Sequence, residues 1–177
     1  LLIAWRRGAL KDGALMQVLR ETTITTAKLF FILFGALIFS NFVNRAGLPD
    51  GLIGIVNAFD LSPLGVIFII LLIYVLLGCV FESLSMILLT VPIFAPVMAA
   101  LGYDLVWFGI VVVVVTEISL ITPPVGLNVF VLKSVLPDVP LSTIFRGVLP
   151  FVAADIVRLA LIVVVPGLVL FLPDLMR

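Results

Sequence analysis

The chain has 177 residues, of which 64% are hydrophobic and 11% are charged, whereas soluble domains are roughly 45 to 50% apolar and about 25% charged. This composition excludes an ordinary soluble domain and indicates an integral membrane protein. The formal net charge is zero, histidine is absent and Cys79 is the single cysteine. The sequence therefore offers no basic surface for nucleic acid, no histidine proton relay and no internal disulfide or zinc site, and we expect no cofactor.

Residues 1–24 mix basic and apolar side chains, which is typical of an amphipathic connector lying at a membrane surface. Charged residues also stand where a cleavable signal peptide would carry its apolar segment, so we expect the chain to be part of a longer protein. Residues 25–60 contain a first span, from about Thr25 to Phe42, and then the segment "LIGIVNAF". This segment is too short to cross the bilayer and is predicted to be a short interfacial or re-entrant helix.

Residues 61–102 have the pattern of a helical hairpin. Asp60 or Ser62 can cap the first arm, with Pro63 in its first turn, and the apolar run continues to about Val80. The polar segment "FESLS" interrupts it, and a second apolar arm containing two prolines ends at Gly102. This pattern predicts two helices that enter and leave the membrane on the same side.

Residues 103–136 would be about 50 Å long as one helix, against a hydrocarbon core of about 30 Å. We therefore expect the helix to be broken within residues 122–126. Residues 137–177 form a connector and a last span, from about Val148 to Leu172. This span carries Asp155 and Arg158, whose spacing of three places them on one face as a neutralising pair.

Basic residues predict the orientation, because cytoplasmic loops carry an excess of lysine and arginine. They cluster before the first span and around residue 138: Arg6, Arg7, Lys11, Arg20 and Lys28, then Lys133 and Arg146. With both clusters inside, the hairpin opens outward and the broken helix delivers Lys133 to the cytoplasm. Arg45 alone opposes this bias.

The break "ITPPVGLN" is a candidate binding site, because non-helical backbone at membrane depth needs protein, water or a ligand as hydrogen-bonding partner. Thr122 supplies a hydroxyl and a carbonyl, and Pro123 and Pro124 end the first half-helix. Gly126 permits close approach, and Asn128 supplies an amide. Unwound carbonyls and hydroxyls of this kind coordinate sodium in secondary transporters. A proline kink without any ligand is the alternative.

The hairpin segment "FESLS" supplies further oxygen atoms, from Ser83 and Ser85 beside Glu82. A carboxylate inside a span costs at least about 2.5 kcal/mol, so Glu82 should face protein, water or a cation. Glu117 precedes the break by one to two turns and is close enough to orient it. It can equally be a polar residue near the membrane edge.

The block "FESLSMILLTVPIFAPVMAALGYD", then "FG" and "EISLITPPVGLNVFVLKSV", resembles the C-terminal half of the large membrane subunit of tripartite ATP-independent periplasmic (TRAP) transporters. The resemblance covers nearly the whole chain. It implies an all-α polytopic membrane protein of the inverted-repeat ion-transporter type, with one repeat present: a re-entrant hairpin and a broken helix. Many relatives have aspartate at the position of Glu82.

The resemblance further implies sodium-driven import of organic acids, such as C4-dicarboxylates or sialic acid, by an elevator mechanism in the bacterial inner membrane. Its implied partners are a periplasmic substrate-binding protein, a small four-helix membrane subunit and the N-terminal repeat that this sequence lacks. Half of the substrate site and one sodium site would lie in that repeat.

From the residues and the resemblance together we predict sodium ligands at six positions and substrate contacts at three. The sodium ligands are Ser83, Ser85, Thr122, Pro123, Gly126 and Asn128, and the substrate-adjacent residues are Glu82, Pro124 and Val125. Three alternatives remain open: a sodium-carboxylate symporter of related architecture without a binding protein, an intramembrane enzyme, and a non-transporting scaffold. We expect no enzymatic activity, because the sequence contains no histidine, metal cluster or nucleophile-base pair.

Overall fold

A computed structural model of the chain describes residues 13–123 and 126–176, and all the regular structure of these residues is helical. The helices, in chain order, are α1 Ala14–Arg45, α2 Leu48–Ala58, α3 Pro63–Leu77, α4 Ser83–Ala100, α5 Leu105–Ile121, α6 Leu127–Val135, α7 Leu141–Val164 and α8 Gly167–Leu175. Backbone contacts divide the chain into two units, residues 1–38 and 39–177. The hairpin and the break both belong to the second unit.

Within residues 13–123 and 126–176, three helices are long and apolar enough to cross a membrane, namely α1, α4 and α7. Large apolar side chains are also widely exposed, among them Phe31 at 83% and Ile38 at 72% on α1. Exposed apolar surface on this scale is suited to hydrocarbon rather than to water. The predicted class, an all-α polytopic membrane protein, is confirmed.

Helix α1 begins earlier than the span predicted from Thr25. Residues 14–24, which the sequence predicts as part of a surface connector, form the first turns of α1, while residues 1–12 lie outside the described part of the chain. The polar groups of this segment bond along the helix: Gln17 Nε2 donates to Glu21 Oε1 at 2.9 Å, and the Thr23 hydroxyl donates to the Leu19 carbonyl at 2.8 Å. At 1.5 Å per residue α1 is about 48 Å long, which exceeds the bilayer core.

The hairpin arms are α3 and α4. Ser62 caps α3, its hydroxyl accepting the Gly65 amide at 3.2 Å, so Ser62 provides the cap that the sequence left open between two residues. The buried Thr90 and Tyr74 hydroxyls hydrogen-bond to each other at 2.5 Å, and Thr90 Oγ1 also lies 2.7 Å from the Met86 carbonyl oxygen. This pairing fixes the two arms against each other in the interior.

Helix α5 is the centre of the second unit and packs against α3, α4 and α7. Its buried face includes Trp107, Val111 and Val115. The Trp107 indole N–H donates to the Ile162 carbonyl at 2.8 Å, near the end of α7, where helix carbonyls lack partners within the helix. Tyr103 stacks on Trp107 with ring centroids 5.0 Å apart. The start of α5 is therefore fixed to the end of α7.

The last span differs from the prediction of one helix from Val148 to Leu172. Helix α7 ends at Val164, and α8 begins at Gly167. Pro166 has no amide hydrogen and disfavours helical geometry at the residue before it, and Val165 accordingly has φ −124° and ψ 74°. The predicted pair on this span is present, with Arg158 Nη2 3.0 Å from Asp155 Oδ1.

Candidate ion site at the hairpin tip and the helix break

The hairpin tip, residues 78–82, is the turn that joins α3 to α4, and Glu82 ends it as the N-cap of α4. The Glu82 carboxylate accepts the amides of Leu84 at 3.1 Å and Ser85 at 3.2 Å, and it also accepts the Ser85 hydroxyl at 3.3 Å. A carboxylate at a helix N-terminus also interacts favourably with the helix dipole. Glu82 therefore stabilises the tip, a role that the sequence pattern alone did not indicate.

Replacing Glu82 with alanine should destabilise the protein by about 1 kcal/mol, within the range of about 0.5 to 2 kcal/mol for N-cap removal. Glu82→Asp should retain most of the stability, because aspartate is a strongly preferred N-cap. The measurement is the detergent melting temperature of each variant. Equal losses for Glu82→Asp and Glu82→Ala would contradict the capping role.

The predicted break is present between α5 and α6. Helix α5 ends at Ile121, and Thr122 is extended, with φ −87° and ψ 138°, while its hydroxyl donates to the Ile118 carbonyl at 2.6 Å. Pro123 is exposed. Two of the predicted substrate-adjacent residues, Pro124 and Val125, lie outside the described residues.

Gly126 is the N-cap of α6 and has the left-handed conformation, with φ 59° and ψ 76°, and it is buried. A Cβ atom there would lie 3.3 Å from Val129 Cγ2 and 3.4 Å from the Thr122 carbonyl oxygen. The Gly126 carbonyl accepts the amides of Val129 at 2.8 Å and Phe130 at 3.2 Å. Two amides already bond to this carbonyl oxygen, so it is less available to bind an ion. The main contribution of Gly126 to the break is therefore its left-handed conformation.

The other predicted ligands differ in exposure. Ser83, Ser85 and Thr122 are partly buried, whereas Asn128, in the first turn of α6, is exposed. The Ser85 hydroxyl is bonded to Glu82, and the Thr122 hydroxyl donates to its own helix, which leaves the Thr122 oxygen lone pairs able to accept. Glu117, expected to orient the break, is exposed between its buried neighbours Thr116 and Ile118.

The tip and the end of α5 meet at Gly78 and Ser119. Gly78 is buried, and a Cβ atom placed on it would lie 1.8 Å from Ser119 Oγ. Ser119 precedes Thr122 by one turn. The fold therefore brings the hairpin tip to α5 directly before the break.

Two hydroxyl residues at this contact are absent from the ligands predicted by sequence. Thr116 and Ser119 are both completely buried; the Ser119 hydroxyl donates to the Thr116 carbonyl at 2.6 Å, and Thr116 Oγ1 has no hydrogen-bond partner among the described residues. With Thr122, the residue that directly follows α5, they form a row of hydroxyls at every third position, and neighbouring members of the row lie on the same side of the helix. That spacing is the signal that could have identified them.

An apolar cleft of about 390 Å³ lies beside this row, between α3, α5 and α7. Its walls include Phe68, Val75 and Val163, and among the described residues that line it only Thr122 carries a hydroxyl. Such a lining suits hydrocarbon and gives no charged partner to a carboxylate. The polar groups at the tip and the break are therefore the better candidates for an anionic or cationic ligand.

Comparison with known proteins identifies the family. Residues 1–168 match the family described as "Tripartite ATP-independent periplasmic transporter, DctM component". The chain belongs to this family. The match covers the hairpin and the break together with most of the last span.

Several curated large permeases of TRAP transporters are similar to the chain. It is 36% identical over 160 residues to the sialic acid TRAP transporter large permease protein SiaM of Vibrio cholerae, covering 90% of this chain and 37% of that protein. It is 34% identical over 158 residues to the C4-dicarboxylate TRAP transporter large permease protein DctM of Pseudomonas aeruginosa, covering 89% of this chain and 37% of that protein. The ectoine/5-hydroxyectoine permease UehC of Ruegeria pomeroyi is 30% identical over 157 residues, covering 88% and 36%. The chain thus spans little more than a third of the length of these relatives.

Proposed function

We propose that this chain forms one half of the transport site of a TRAP permease that couples sodium entry to the import of small organic acids. The observation that carries this proposal is the meeting of the hairpin tip with α5 one turn before the break, at Gly78 and Ser119. Interrupted helices of this kind persist at membrane depth where their backbone groups have partners, and ions and substrates are such partners.

The cation would lie between the tip and the break, held by hydroxyl and carbonyl oxygens. Thr122 is suited to this, because its hydroxyl hydrogen is directed to Ile118 and its lone pairs remain available. Ser83 and Ser85 are the hydroxyl residues on the tip side. Sodium bound there would hold the tip against the break, so that binding of ion and of substrate would favour the same arrangement.

The substrate would carry a carboxylate group. Sialic acid, C4-dicarboxylates and ectoine, the compounds for which the relatives are named, all carry one. The N-terminal end of α6 directs backbone amides and a partial positive charge toward the break, which suits a carboxylate. We place the second face of this site in the N-terminal repeat.

We also propose the working partners and the location of the complete permease. It would receive its substrate from a periplasmic binding protein and work with a small four-helix membrane subunit in the bacterial inner membrane. The unit that contains the hairpin and the break would carry the substrate across the bilayer in an elevator movement.

The test is uptake by proteoliposomes that contain the complete permease, its small subunit and its loaded binding protein. Uptake of an organic acid should require an inward sodium gradient and should stop when choline replaces sodium. The chain of 177 residues alone should give none, because it supplies one face of the site. Uptake by this chain alone, or uptake by the complete system without sodium, would contradict the proposal.

A further inference from the structure

The contact between Gly78 and Ser119 is too close for any residue but glycine on the hairpin side. A Cβ atom at Gly78 would lie 1.8 Å from Ser119 Oγ and 2.2 Å from Ser119 Cβ, whereas real Cβ atoms essentially never approach another heavy atom within 3.0 Å. Gly78 has φ −65° and ψ −13°, an ordinary helical conformation that any residue can adopt. Glycine is therefore required here because a side chain does not fit, and not because of the backbone angles.

Ser119 cannot move away to make room. It is completely buried, and its hydroxyl is bonded to the Thr116 carbonyl at 2.6 Å. Rotation about χ1 would relocate the hydroxyl oxygen, but Cβ has no such freedom. A side chain at position 78 must therefore push the hairpin tip or α5 away, until its Cβ atom and Ser119 Cβ are at least 3.0 Å apart instead of 2.2 Å.

We infer that Gly78 and Ser119 are positioning residues that set the spacing between the hairpin tip and the helix break, and thereby the affinity of the sodium site. The inference rests on the proposed sodium coupling. Gly78 is the first residue of the tip, and Ser119 lies one turn before Thr122. A displacement at this contact therefore moves the proposed sodium ligands of the hairpin relative to Thr122 at the break. Neither residue needs to touch the ion.

The displacement that a methyl group at Gly78 requires is large enough to change the affinity for sodium. Binding groups must be held within about 0.5 Å of their productive positions, and for reacting groups in enzymes a misplacement of about 1 Å can lower the rate roughly 100-fold. A methyl group at Gly78 requires the separation to open from 2.2 Å to at least 3.0 Å, which exceeds about 0.5 Å and approaches about 1 Å. An increase of at least about tenfold in the half-saturating sodium concentration is therefore expected for Gly78→Ala.

Gly78→Ala, Gly78→Ala combined with Ser119→Gly, and Gly109→Ala should be compared in the complete permease with its partners. The double variant removes the Ser119 Cβ that the new methyl group meets, so it should restore half-saturation to within about threefold of the wild type. Gly109 lies on α5, where an added methyl group would meet no atom within 4 Å beyond its chain neighbours and the adjacent backbone of its own helix. Gly109→Ala should therefore leave the half-saturating sodium concentration unchanged. The readouts are uptake against sodium concentration, with maximum rate and half-saturation separated, and the melting temperature.

Labelling of Cys79, the residue after Gly78, gives a second readout that does not depend on uptake. With any cysteines elsewhere in the permease replaced by serine, sodium should slow maleimide labelling of Cys79 in the wild type. Gly78→Ala should shift the protecting sodium concentration upward by the same factor. If Gly78→Ala fails to assemble, Ser119→Thr, which adds one methyl group at the same contact, should produce a smaller shift in the same direction.

The outcomes separate this inference from the proposed function. A wild type whose uptake and Cys79 labelling are both independent of sodium contradicts the proposed coupling and the inference with it. A sodium-dependent wild type whose half-saturation is unchanged in Gly78→Ala, or is raised in Gly78→Ala but not restored by Ser119→Gly, overturns only the inference. Restoration by Ser119→Gly supports it, because it assigns the shift in half-saturation to the contact between these two positions.

Discussion

Alanine at position 126 should raise the sodium concentration for half-maximal uptake by roughly 5- to 150-fold, equivalent to about 1 to 3 kcal/mol. Gly126 has φ 59°, a left-handed conformation that alanine adopts at a cost, and its Cβ would also press on Val129 and the Thr122 carbonyl. The break can relieve this strain by relaxing away from the geometry that holds the ion. Gly126→Val should have the larger effect, because β-branching disfavours this conformation further.

Asparagine is the matched control at this position, since it tolerates left-handed backbone while it carries the same Cβ atom. A smaller shift for Gly126→Asn than for Gly126→Ala would assign the effect to backbone conformation. The measurement is uptake against sodium concentration, with the melting temperature recorded on the same preparations. A lower melting temperature with unchanged sodium dependence would show that Gly126 serves only folding, and the ion site would have to be sought elsewhere.

Truncation of Trp107 to alanine should destabilise the protein by about 3 to 5 kcal/mol. The indole is 1% exposed, stacks on Tyr103 and donates to the Ile162 carbonyl, so truncation removes buried area and a hydrogen bond at one point. Trp107→Phe keeps most of the apolar area and loses the N–H, which should cost about 1 to 3 kcal/mol because the Ile162 carbonyl is left unpaired.

Both variants can be measured by detergent thermal denaturation followed by circular dichroism. Leu105→Ala provides the control for a loss of apolar side chain on the same helix, because Leu105 is 51% exposed and its truncation leaves no buried cavity. A Trp107→Phe variant as stable as the wild type would show that the indole N–H contributes nothing to the link between α5 and α7.

Local chemistry made the interruptions of the hairpin and the broken helix predictable. Ser62 and Pro63 indicate the start of α3, and the proline pair with Gly126 indicates the break, because proline removes amide donors and glycine accepts unusual backbone angles. The signal at Val165 and Pro166 is equally local, but the apolar composition continues unchanged across it, so composition predicts one uninterrupted span there. Composition alone marks a span and not its continuity.

The interior contacts of the site could not be predicted in this way. Ser119 is one serine among several in the sequence, and its importance comes from Gly78, which lies 41 positions earlier and meets it only after the hairpin folds onto α5. The cost of a carboxylate in a span predicts that Glu82 faces protein, water or a cation, without deciding between them. The carboxylate accepts two amides of its own helix, an arrangement visible only once the start of α4 is known.

The ion pair on α7 has a consequence for how this helix can change during evolution. Arg158 Nη2 lies 3.0 Å from Asp155 Oδ1, and both residues belong to a helix that is apolar enough to span the membrane. Loss of either residue leaves one uncompensated charge, which costs about 2.5 to 3.5 kcal/mol at the centre of an inserting helix, whereas loss of both leaves none. The two positions should therefore have changed together among the descendants of a common ancestor, with lineages keeping the pair, exchanging its signs or replacing both members with neutral residues.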